Sequence, residues 1–114
     1  MTDRKLIPKE SECQQTIVAA AKATGWLCHG ERTSRNARGN YSTAIQGDRG
    51  FCDLILVKGG QMLALELKRD KTGVIGPGQQ EWIDALDAVP GVTARIVGVP
   101  SSLQAVVDYL ASVP

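Results

Sequence analysis

The sequence predicts an α/β fold in which a central mixed sheet is flanked by helices, with elements in the order αβββαβα. Three observations carry this. Two strand-like runs, Phe51 to Lys58 (FCDLILVK) and Gln61 to Lys68 (QMLALELK), are separated by Gly59-Gly60, a dipeptide suited to the positive φ angles of a tight hairpin turn. Apolar residues occupy both faces of both runs, so the hairpin belongs in the middle of a sheet covered on two sides. Finally, 114 residues with 43% hydrophobic and 22% charged side chains suffice for one domain, spanning 1–114, with its own core.

The elements follow in order. A first helix is expected from about Lys9 to Thr24, because Glu10 and Glu12 suit the positive end of the macrodipole and Gly25 can cap the other end. Trp26 to His29 reads as a short strand directly after that stop. Gly30 to Gly50 has no apolar periodicity and several Arg and Gly residues, so it is expected to be a long functional connection. The hairpin supplies the next two strands. After the polar, Gly-rich turn RDKTGVIGPG, a second helix runs from Gln79 to Val89, with Trp82, Ile83, Leu86 and Val89 recurring on one side, Trp82 read as core, and Pro90-Gly91 as its stop. Thr93 to Val99 is the fourth strand. Ser101 or Ser102 then caps a last helix whose Leu103, Val106, Val107 and Leu110 form one stripe.

Composition narrows the function. A net charge of +1 argues against a strongly nonspecific polyanion binder. That average conceals a basic middle: Gly30 to Gly76 holds eight Lys or Arg against five Asp or Glu, which fits a confined polyanion contact as well as an ordinary solvated surface. Cys13, Cys28 and Cys52 have no paired spacing and read as small hydrophobes; no CxxC or HxxxH pattern supports zinc at Cys28, His29 and Cys52. The uncharged apolar runs are too short to span a bilayer and the N-terminal MTDRKLIPKESE lacks a signal-peptide core, so no membrane association and a cytoplasmic location are expected.

The hairpin makes a geometric prediction. With Gly59 and Gly60 in the loop, paired positions sum to 119, so Lys58 faces Gln61, Ile55 faces Ala64 and Asp53 faces Glu66. The last would be a non-hydrogen-bonded pair, whose Cα atoms approach to about 4.5 Å. Lys68, two residues past Glu66, projects from the same face. Two carboxylates opposed on a buried face are destabilising without a counter-charge, and Lys68 neutralises only one of them. A hard divalent cation such as Mg²⁺ or Mn²⁺ meets the need, and a metal with a lysine on a buried face describes a hydrolytic phosphodiester site.

Asp53 followed by Glu66-Leu67-Lys68 resembles the D…ExK signature of the PD-(D/E)xK nucleases, and the αβββαβα order is similar to their restriction-endonuclease-like core. Within that superfamily the chain resembles a stand-alone VRR-NUC domain over about Glu12 to Val99. Further matches are an acidic residue in the first helix (Glu12), the run GDRGFCD leading into the Asp strand, and Gln79 three positions before Trp82. One departure is Cys52, where the superfamily pattern has Pro.

The resemblance implies that Asp53 and Glu66 bind the metal, with the Leu67 backbone carbonyl as a further ligand. Lys68 would orient or deprotonate the attacking water and offset transition-state charge. Glu12 would join through water or a second ion, its alternative being a surface Glu that favours the macrodipole. The Gln79 amide could hold Lys68, water or phosphate, its alternative being a plain helix-start residue. Arg32, Arg35, Arg38 and Arg49, with Arg69 and Lys71, are candidates for DNA phosphate contacts. His29 is left out, since the ExK lysine already fills the role of base. The expected activity is a Mg²⁺- or Mn²⁺-dependent endodeoxyribonuclease on branched DNA such as four-way junctions, working as a homodimer through α-helical apolar residues around Leu103, Val107 and Leu110. Flap or general nuclease activity, and a non-catalytic DNA-binding module on the same fold, are the alternatives.

Overall fold

The computed structural model of the chain describes residues 7–31 and 45–114. The elements are α1 (Glu10–Ala23), β1 (Leu27–Gly30), β2 (Leu54–Lys58), β3 (Gln61–Arg69), α2 (Gln79–Asp87), β4 (Val92–Val99) and α3 (Leu103–Ser112). They form an α/β structure around one four-stranded sheet in the order β1-β2-β3-β4. The first two pairings are antiparallel and β3 with β4 is parallel, so the sheet is mixed and the hairpin is central, as its two apolar faces require.

Local chemistry explains the elements. Gly25, at φ +90°, stops α1, and the Trp26 N–H turns back to the Ala21 carbonyl at 2.9 Å. Gly59 and Gly60 both have positive φ, +56° and +79°, as a tight hairpin turn requires, and set the register Lys58↔Gln61 through Leu54↔Leu65. The parallel β3–β4 pair needs a crossover, which α2 supplies.

Each face of the sheet has its own core. On one, Leu54, Leu56, Leu63, Leu65, Leu67 and Val99 pack with Cys13 and Ile17 of α1 and Val106 and Leu110 of α3. On the other, Cys52, Ala64 and Ala94 pack with Ile83 of α2. The Lys58 ammonium donates to the carbonyls of Thr24 and Val113, the latter at 2.8 Å, so one cation joins the negative ends of α1 and α3.

Several boundaries differ from expectation. The strand expected from Phe51 begins only at Leu54, because Phe51 packs edge-on against Trp82, with ring centroids 4.9 Å apart, and residues before Leu54 follow a separate path over α2. The first strand starts at Leu27, since Trp26 is buried and its indole donates to the Leu110 carbonyl. The second helix ends at Asp87, and Val89 is exposed and not in the core. Trp82 is not in the core either: it is half-buried, covered by Phe51 and donating to the Asp48 carbonyl at 3.2 Å. In α3, Leu110 is fully buried and Leu103 packs on the same core, so the apolar patch expected to join two subunits is largely consumed within one. No helix among the described residues is long and apolar enough to cross a membrane.

Candidate active site

The site lies where the hairpin ladder ends. Alternation along β3 turns Leu63, Leu65 and Leu67 toward α1 and α3, and Ala64, Glu66 and Lys68 toward the α2 face. Glu66 is therefore carried into the interior on an otherwise apolar strand and is only 2% exposed.

The expected register holds to Leu54↔Leu65. At the next position the Asp53 side chain takes over: its Oδ2 accepts the Leu67 N–H at 2.8 Å, substituting for a ladder bond, while the Asp53 carbonyl accepts from the Glu31 N–H. In an extended strand a residue's N–H and C=O point to the same side. The Leu67 carbonyl thus faces the same edge as the Asp53 carboxylate, beyond the end of the β2 ladder.

Glu66 is held by two donors on one oxygen. Gln79 donates to Oε2 at 3.1 Å, and the Lys68 ammonium lies 3.5 Å from the same atom. The Gly76 N–H donates to Gln79 Oε1 at 2.6 Å, which fixes the amide's orientation and leaves its NH₂ to face Glu66. Gln79 was expected to hold Lys68, water or phosphate; it holds the Glu66 carboxylate instead, because the first turn of α2 lies over that strand. Glu66 Oε1 is the one buried side-chain polar atom among the described residues that has no hydrogen-bond partner. Burial, and then the neighbouring Asp53 carboxylate, push the Glu66 carboxyl up from 4.5 to about 8, against the opposing pull of Lys68. Burial likewise raises the Cys52 thiol, to about 11, so that neighbour of Asp53 is a protonated packing residue.

These features fit a hard divalent cation. The donors are all oxygens: the two carboxylates and the Leu67 carbonyl, with an unsatisfied buried Glu66 oxygen that needs positive charge or a proton. Among the described residues no group of three or more His, Cys, Asp or Glu side chains is placed to hold a metal ion.

Glu12 is not joined to this set by any hydrogen bond or ion pair among the described residues. It is exposed at the third position of α1, where its carboxylate accepts the Lys9 N–H at 3.4 Å, a capping role that the macrodipole favours. His29 is exposed and faces Glu31 at 3.9 Å. Arg69 and Lys71 lie exposed just past Lys68, and Arg49 is exposed on the loop before Asp53. Arg32, Arg35 and Arg38 lie outside the described residues.

A feature invisible to local reading fixes the loop that carries Asp53. Its backbone crosses the start of α2 at two glycines: a Cβ on Gly50 would lie 2.4 Å from the Gly78 carbonyl carbon, and one on Gly78 would lie 2.3 Å from the Arg49 carbonyl oxygen. Both have positive φ, +94° and +80°. The Trp82 indole and the Phe51 ring close the same crossing. The sequence signal was the pairing of GDRG with GPGQ, each a glycine run at the end of a connection.

Comparison with family models, with curated proteins and with solved structures finds no match to this chain.

Proposed function

We propose that this protein is a Mg²⁺- or Mn²⁺-dependent endonuclease that hydrolyses DNA phosphodiester bonds, on a restriction-endonuclease-like core of the VRR-NUC type. The observation that carries the reading is the buried, unpartnered Glu66 oxygen beside Asp53, with Lys68 on the same face. A core strand gains no stability from such a pair, and removing one carboxylate would be the simpler structural solution.

Asp53, Glu66 and the Leu67 carbonyl would hold the ion, which supplies Lewis-acid polarisation of the phosphoryl oxygen and a lowered pKa of bound water. Lys68, with one side to Glu66 and 19% of its side chain exposed, offers N–H donors to a water or a phosphate oxygen and offsets the charge that develops on phosphorus. Gln79 fixes the Glu66 rotamer, so that one oxygen stays committed and the other stays open. Lys71, exposed just past Lys68, adds positive charge at the end of β3 where a phosphate backbone can run, whereas Arg69 alternates to the α1 and α3 face.

The preferred substrate in this reading is branched DNA, cut by a two-fold dimer whose two sites meet opposed strands. A panel of labelled duplex, flap, single-stranded and four-way DNA with Mg²⁺, Mn²⁺ or EDTA tests it. Metal-dependent cutting of the four-way substrate in paired positions supports the reading. Cutting of flap or linear DNA alone moves the function to a general or flap nuclease, and binding without cutting moves it to a DNA-binding module. Light scattering that gives about 12 kDa with and without DNA removes the dimer.

A further inference from the structure

The connection between β3 and α2 ends in two adjacent aliphatic side chains that nothing covers: Val74 is 78% exposed and Ile75 49%. Single exposed apolar residues are ordinary on any surface. This pair differs in three ways. It is tethered at both ends, since the Gly73 N–H donates to the Arg69 carbonyl at 2.7 Å and the Gly76 N–H to Gln79 Oε1 at 2.6 Å. It is tied to the acid pair, because the Gln79 amide that anchors Gly76 also holds Glu66. And two lysines, Lys68 and Lys71, precede it in the same segment.

The neighbouring loop repeats the pattern. Ile45 and Phe51, also large and exposed, belong to the segment that crosses α2 at Gly50 and Gly78. Of these, Phe51 is already engaged by the Trp82 ring, so the uncovered aliphatic pair linked through Gln79 to the carboxylate site is Val74 and Ile75. A protein partner with a flat apolar face would not require the adjoining cations. A nucleic acid does, since its phosphates meet the lysines while its base faces meet the aliphatic tip.

Resting on the nuclease reading above, we infer that Val74 and Ile75 form an apolar wedge that enters between DNA bases already unstacked or easily unstacked, at a branch, nick or flexible step. The bases are pried apart by the tip while the adjacent backbone reaches Lys68 and the acid pair. The wedge makes the site selective for distorted DNA through the energy of unstacking, without reading base edges.

The test compares wild-type protein with the Val74→Ser/Ile75→Ser double variant, whose exposed positions leave both cores intact. The substrates are a four-way junction and a continuous duplex of the same sequences, each with 2-aminopurine next to the branch position. Fluorescence is read with Ca²⁺ in place of Mg²⁺, and cleavage with Mg²⁺. The expected result is a rise in 2-aminopurine fluorescence on the junction with wild type and none with the variant. Junction cleavage falls by roughly tenfold or more in the variant, while cleavage of continuous duplex changes less than about twofold. Equal fluorescence and equal junction cleavage for the two proteins overturn the wedge. So does a variant whose mass by light scattering falls to half that of wild type, which assigns the pair to contact with a second copy. If wild type cuts no DNA yet shows the Val74- and Ile75-dependent fluorescence rise, the wedge stands and the nuclease reading fails.

Discussion

Replacing Glu66 by Gln tests the site through stability as well as activity. The folded protein holds the Glu66 proton up to about pH 8, whereas an unfolded chain releases it near 4.5. Between those values the native state binds more protons than the unfolded one, so stability falls as pH rises through this window. At 1.36 kcal/mol per pH unit, the loss from pH 5 to pH 8 is about 3 kcal/mol. Glu66→Gln keeps the shape, offers its amide to Asp53 and has no proton to release, so its stability lacks this component of the pH dependence.

Urea unfolding in EDTA at pH 5 and pH 8 reads the difference. The wild-type midpoint should fall relative to that of the variant by roughly 1–3 M at ordinary m-values. Added Mg²⁺ should restore the wild type at pH 8 much more than at pH 5, because the ion competes with that proton, and should leave the variant unmoved. Wild type and variant that track each other across pH, with the same response to Mg²⁺, would refute both the electrostatics of the pair and its role as a metal site.

Four further outcomes are expected. Lys68→Met keeps the aliphatic length and loses the ammonium, so DNA cleavage should fall by about 10²-fold or more while DNA affinity, measured by fluorescence anisotropy in Ca²⁺, changes little. Gln79→Leu frees Glu66 Oε2 from one of its two partners and should weaken Mg²⁺ binding by about 10- to 100-fold, measured by calorimetry, with the fold retained by circular dichroism. Gly50→Ala places a methyl carbon against the Gly78 backbone at positive φ and should cost at least about 1–3 kcal/mol, seen as a lower Tm. Trp82→Phe keeps a ring against Phe51 but removes the bond to the Asp48 carbonyl and should cost about 1 kcal/mol, with metal-dependent cleavage reduced further than stability alone accounts for.

The parts of the fold that local rules govern were legible. Gly59-Gly60 determines its own turn, and the turn determines the register as far as hydrogen-bonded pairing runs, which is why Ile55↔Ala64 and Leu54↔Leu65 follow from counting. The placement of Glu66 and Lys68 on one face follows from the period of two. What counting does not reach is the path of residues 45–53, where no pairing propagates the register. That path is set by contacts between positions about thirty apart, Asp48 with Trp82 and Gly50 with Gly78. Trp82 was expected in the core for the same reason: its helical stripe indicates an apolar partner without saying which one, and the partner is a loop and not the sheet.

The end of the ladder and the location of the site have one cause. Had β2 continued pairing back through residue 52, the Cys52 carbonyl would accept the Leu67 N–H and the Leu67 carbonyl would be spent on a cross-strand bond. The glycine crossing lifts the chain away at that point, and the Asp53 carboxylate takes the vacated donor. That single exchange leaves one Asp53 oxygen, one Leu67 carbonyl and one buried Glu66 oxygen without obligatory partners on the same edge of the sheet. Uncommitted oxygens beside a buried carboxylate are unfavourable for folding and favourable for binding a cation, so under the function proposed above the interruption of the sheet is what would create the metal site.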